Sequence, residues 1–99
     1  FFLRHVHQGL NLQEAIDAPL FHTSHVTGSF YPRPARPGVV MIEETAGERV
    51  LDALRLRGHE IEVADAWTVG RLTAAGRGPD GVLRAAATPR LMQAYALGR

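Results

Sequence analysis

Apolar and polar positions follow two different periods along this chain, and the changes of period mark out its elements. Phe2, Leu3 and Val6 fall on one face of a helix running from Phe1 to Gln8, and Gly9 is its natural stop. The apolar start of this helix predicts that it continues ahead of Phe1. Asn11 opens a second helix. Asn11 to Glu14 form a capping-box variant, in which the Asn11 side chain accepts a backbone N–H and Glu14 reaches back. Leu12, Ala15 and Ile16 make its apolar stripe, and Pro19 ends it, having no N–H and disfavouring helical geometry at Ala18.

The stretch Phe21 to Pro37 has no clear period. A short strand is expected at Ser29–Arg33, confined by Pro32 to an edge or an end. The run Val39 to Ile42, between Gly38 and Glu43-Glu44, reads as a buried strand. A third helix is expected from Gly47 to Arg57, with Val50, Leu51, Leu54 and Leu56 inward and Gly58 as its stop. Ile61 and Val63 alternate with Glu60, Glu62 and Asp65 as a half-buried strand. Two further strands, Val69–Arg77 and Val82–Ala87, flank the turn Gly78-Pro79-Asp80-Gly81, where Pro and Asp suit the turn and Gly supplies positive φ. Pro89 closes the last strand, and a short helical turn is expected around Leu91, Met92 and Tyr95.

These elements predict an α+β class, or a piece of a layered α/β/β/α sandwich, with about three helices and four to five strands. No repeat, low-complexity tract or long linker divides residues 1–99 into separate domains. The chain starts with Phe1 and no initiator Met, so it is expected to be a piece of a longer protein. No signal peptide is visible, because Arg4, His5 and His7 interrupt the only apolar start. The compartment, cytoplasmic or periplasmic, stays open.

Composition narrows the function classes. Hydrophobic residues make up 45%, an ordinary globular share. The formal charge of +1 gives no electrostatic case for nucleic acid or for an anionic membrane surface. No apolar run approaches the roughly 18–20 residues needed to span a bilayer. All 11 basic residues are arginine, which fits a GC-rich genome better than heat adaptation. With no cysteine, disulfides, thiol catalysis and cysteine-bound zinc are excluded.

The polar residues give little independent chemistry. His5 and His7 lie two apart and point in different directions on a helix. His22 and His25 follow Pro19, off any helix, and no H-E-x-x-H pattern is present. Histidines that hydrogen-bond or face solvent are the expectation, with no metal and no cofactor. Thr23, Ser24, Thr27 and Ser29 cluster near His22 and His25, but no G-x-S-x-G elbow surrounds them, and the segment reads as a polar loop. Gly76, Gly78 and Gly81 belong to a turn, not a phosphate loop. Glu43-Glu44 and Glu60/Glu62 look like strand ends and a solvated face.

Several segments in order resemble the C-terminal part of the small subunit in the gamma-glutamyltransferase (gamma-glutamyltranspeptidase) family, in a divergent bacterial branch. Gly9 to Pro19 followed by Phe21-His22 resembles that family's G-x-N-x-x-E-A-x-x-A-P-R-F-H segment. Leu54 to His59 resembles its helix-to-strand step, Gly78 to Leu83 its penultimate hairpin, and Ala87-Thr88-Pro89-Arg90 with Met92 to Arg99 its closing A-x-P-R…G segment. Leu20 stands where many members carry arginine, and Thr88 where many carry aspartate. Thr23–Pro37 is insertion-like, and it and the Trp67 region differ from the best-known bacterial enzymes.

The resemblance implies an N-terminal nucleophile hydrolase of two stacked sheets between helical layers. Such enzymes cut themselves in two, and the freed N-terminal threonine of the small subunit attacks a γ-glutamyl amide. Relatives act on cephalosporin-type acyl amides, and an acylase of that kind from the same superfamily is the alternative function. No catalytic or substrate-binding residue matches a position here, since the nucleophile would lie upstream of Phe1. The implied role is scaffold within the parent enzyme, whose partners are the large subunit, the rest of the small subunit and a small γ-glutamyl substrate. His22 and Arg90 match motif positions and are the candidate supporting residues. The alternative makes His22 a loop cap and Arg90 the partner of a carboxylate. A free-standing α+β binding or assembly module is the rival from another class. By itself the segment is expected to be inactive, and to self-associate or to be marginally stable.

Overall fold

The computed structural model describes residues 1–92 and 94–97. In chain order its elements are helices α1 (Phe2–Val6) and α2 (Leu12–Asp17), strands β1 (Phe21–Thr23) and β2 (Val39–Glu43), helix α3 (Glu48–Leu56), and strands β3 (Glu60–Ala64), β4 (Thr73–Arg77) and β5 (Leu83–Ala87). Short 3-10 turns occupy Glu44–Ala46 and Arg90–Met92. Among the described residues, three helices and five strands in two small sheets make an α+β fold, within the range the periodicities predict. The chain divides into two compact units. One comprises Phe1–Ala18 with the chain from Arg71 onward, and the other is Pro19–Gly70.

In the first unit, α1 ends at His7, with the N–H groups of His7 and Gln8 both donating to Leu3 O. Gly9 follows at φ +74°, a conformation that a side chain disfavours. The α2 capping box is complete: Asn11 Oδ1 accepts from Glu14 N, and Glu14 Oε2 accepts from Asn11 N, both at 2.9 Å. This satisfies two of the donors that a helix start leaves unpaired. Ala15 and Ile16 are fully buried, and α2 packs on the antiparallel β4–β5 ribbon, where Ala86 is buried. Gly76 of β4 lies near Leu12 of α2, where an added Cβ would make an ordinary contact with Leu12 Cδ1 at 4.0 Å.

The ribbon turns where the sequence predicts. Gly81 takes φ +80°, and Asp80 accepts from the Val82 N–H at 3.1 Å and pairs with Arg84 at 2.6 Å. Strand β4 begins only at Thr73, four residues after the expected Val69. The expected helical turn of the tail is a 3-10 turn with φ of 59° at Leu91 and 48° at Met92, and residues 94–97 are in no helix.

The second unit is a three-stranded sheet with β2 in the centre. Strand β1 runs antiparallel to it and β3 parallel, with α3 as the crossover. Val40, Ile42 and Leu51 form its core, with Ala46, Leu54 and Ile61 packed around them. The burial of β2 follows from its position between two partners and under the helix. Of the four residues expected inward on α3, Val50 is partly exposed and Leu56 almost fully so. A single narrow contact with the sheet needs only the Leu51–Leu54 stripe. The strand expected at Ser29–Arg33 is a turn, in which Arg33 N donates to Phe30 O at 2.7 Å. The edge strand instead lies at Phe21–Thr23, all three residues exposed, so no burial pattern could have announced it.

Candidate functional site

Among the described residues, two fully buried charged side chains, one in each unit, hold backbone groups that secondary structure leaves unpaired. The first is Arg90, only 1% exposed. Pro89 ends β5's course, and the chain turns so that the guanidinium reaches the last turn of α2. There Nη1 donates to Ile16 O at 2.8 Å, and Nη2 to Asp17 O and Ala18 O at 3.2 Å. Helix ends carry carbonyls without intrahelical partners and a partial negative charge, which suits a cation with several donors. Arg4 adds a bond to Ala18 O at 3.3 Å. Buried Thr88 orients the group: its Oγ1 accepts from Arg90 N and Nη1, while Thr88 N donates to Leu72 O. Of the two readings the sequence offered for Arg90, these bonds are to carbonyls and a hydroxyl at a helix terminus.

The second is Glu43, the last residue of β2, with no exposed surface. Its Oε2 accepts from Leu20 N and its Oε1 from Val69 N, each at 3.1 Å, while its own N–H donates to Leu20 O. The register Phe21↔Ile42 places Leu20 opposite Glu43, so the carboxylate stands in for a backbone carbonyl at the last rung of the ladder. Glu43 was expected at a strand end, and it is one. It is buried because both oxygens find backbone donors, which offsets the desolvation of its charge. Nothing local in the sequence signals this, since its partners lie 23 and 26 residues away. Neighbouring Glu44 is exposed.

His22, the other supporting candidate, is exposed on β1 opposite Met41. It shares no unit with Arg90, so each stands in its own setting. The remaining histidines make local contacts. His5 Nδ1 is 2.8 Å from Leu10 O and its ring stacks on Phe1, His7 meets Phe2 edge-on, and His25 stacks with His59 at 6.4 Å. Among the described residues no group of three or more His, Asp or Glu could hold a metal ion. Thr23, Thr27 and Ser29 are exposed, and the Ser24 backbone closes the 24–39 loop by bonds to Val39 O and from Arg36 N. Arg36 also bridges Glu60 and Glu62 at the sheet surface, and the Glu62 carboxylate raises its guanidinium further above its usual range. Arg84, with the Val82 N–H, holds the Asp80 carboxyl below the usual carboxylate range.

No protein of curated function matches this chain. Among solved structures, "LmbA2991T421A" and "LmbA2991HD" are each 52% identical to it, with a TM-score of 0.85 over 95% of this chain. The chain spans only 16% of the length of either. The gamma-glutamyltranspeptidase from Pseudomonas nitroreducens, complexed with L-DON, has the same fold at a TM-score of 0.66 and 19% identity, over 99% of this chain and 46% of that one. The sequence model of the family described as gamma-glutamyltranspeptidase matches residues 1–98. With its whole described length inside that match, the chain belongs to the gamma-glutamyltranspeptidase family.

Proposed function

We propose that this chain is a scaffold segment of an enzyme that hydrolyses or transfers γ-glutamyl amides such as glutathione, with the nucleophilic threonine on a segment ahead of Phe1. The observation that carries this reading is the family match across residues 1–98. In that chemistry a threonine hydroxyl adds to the γ-carbonyl, the threonine amine takes the proton, and the leaving amine departs with it. Water or an acceptor amine then resolves the acyl-enzyme. Arg90 and Glu43 support a scaffold role, because each spends a buried charge on fixing backbone. The role proposed for Arg90 is to hold the last turn of α2, and for His22 to support packing from the exposed face of β1. The segment by itself is inactive, and its partners are the large subunit and the rest of the small subunit.

The test is intact-mass and N-terminal sequence analysis of the purified full-length protein, followed by assay on γ-glutamyl anilides and cephalosporin-type amides. Two polypeptides, the smaller beginning with threonine and containing this chain, together with release of the γ-glutamyl leaving group, are expected. Cleavage with activity on cephalosporin-type amides alone replaces the substrate class and keeps the mechanism. A single uncut, inactive chain overturns the enzyme reading and leaves a binding or assembly module.

A further inference from the structure

We infer that residues 19–70 open and close as one cooperative module whose latch is the Glu43 carboxylate. This unit is continuous in sequence, whereas the other is built from two separated stretches. It has its own core of Val40, Ile42 and Leu51 under α3. Its two ends are fastened at a single group. Leu20 lies one residue inside the start and Val69 one residue inside the finish, and the two carboxylate oxygens of Glu43 take one N–H from each. The ends also lie close together: a Cβ added to Gly70 would come within 3.3 Å of Leu20 Cδ1, and Gly70 sits at φ +78°. Val69 is buried beside this junction.

A latch at the root of a loop decides whether the loop behaves as a unit. While both N–H groups are held, the ends cannot separate without breaking the last rung of β1–β2, so fraying is coupled to the sheet. A glutamine at this position has one acceptor oxygen and, in place of the other, an NH₂ that only donates. One of the two N–H groups would then face an NH₂, leaving a buried donor unpaired. The loop root would open, and the parallel β2–β3 pairing would lose the anchor at its end.

Native-state hydrogen exchange on the full-length protein tests this. In the unaltered protein, ladder amides between β2 and β3 should share one opening free energy, distinct from that of the β4–β5 amides. Glu43→Gln should speed exchange at Leu20, Val69 and the β2–β3 ladder by a common factor of tenfold or more, with β4–β5 unchanged. Acceleration confined to Leu20 and Val69 would overturn the module, reducing the carboxylate to a local contact. Equal acceleration in β4–β5 would overturn it too, showing one global unit. If Glu43→Gln prevents folding, Ile61→Val asks the same question mildly: it must speed the ladder, Leu20 and Val69 together and spare the ribbon, or the inference falls.

Discussion

Arg90 and Glu43 solve one problem with opposite charges. Each lies at or beyond the end of a strand, is almost wholly removed from water, and reaches across a long sequence gap to unpaired backbone. Arg90 donates to three carbonyls at the close of α2, and Glu43 accepts from two N–H groups at the ends of residues 19–70. The difference lies in what each one joins. Guanidinium has five donors in a rigid fork, and Arg90 is further oriented by Thr88 and assisted at Ala18 O by Arg4. A carboxylate offers two oxygens, and Glu43 commits each to a different chain segment. The cationic anchor thus gathers carbonyls of one helix terminus, whereas the anionic one ties together two distant chain segments.

The comparison can be broken by substitution, and the effects should fall in order. Arg90→Ala should cost the most, about 3–4 kcal/mol of stability by chemical denaturation, because several charge-assisted bonds go and buried carbonyls are stranded. Arg90→Lys should recover only part, since an ammonium cannot reproduce the fork. Stability unchanged in Arg90→Ala would remove the anchor reading. Glu43→Gln should cost about 1–3 kcal/mol, one N–H losing its acceptor. Asn11→Ala should cost about 1 kcal/mol, because it removes the cap at the other end of the helix that Arg90 closes. A larger loss than for Arg90→Ala would show that α2 is held mainly from its start.

The smallest expected effect concerns Asp80, exposed in the hairpin turn. Its folded carboxyl is held down by Arg84 and the Val82 N–H. The contribution it makes is therefore present above the usual aspartate range and is lost as pH falls through the lowered folded value. The Val82 amide shift, followed by NMR against pH, should report this step, and Asp80→Asn should abolish it.

What the sequence disclosed and what it hid follow the same division. The capping box at Asn11 and Glu14 and the Gly78–Gly81 turn are legible because all their bonds span four residues or fewer. The central strand is legible from its unbroken apolar run. Strand β1 is not, because Phe21, His22 and Thr23 are all exposed and pair only through backbone. Arg90 comes to notice only through its place in a family motif, and Glu43 escapes even that. A buried glutamate beside an exposed one looks like a charged strand end until its distant N–H partners are known.

The meeting of Leu20 and Val69 on one carboxylate has a consequence for how such a chain changes over generations. A segment that departs and returns at neighbouring points can be lengthened, shortened or exchanged while the polypeptide on either side keeps its path. Drift within residues 24–38, where the 24–39 loop is already closed by its own backbone bonds, is therefore cheap. Changes at Glu43 and Gly70 are not, since the exchange of parts works only while the junction itself is kept.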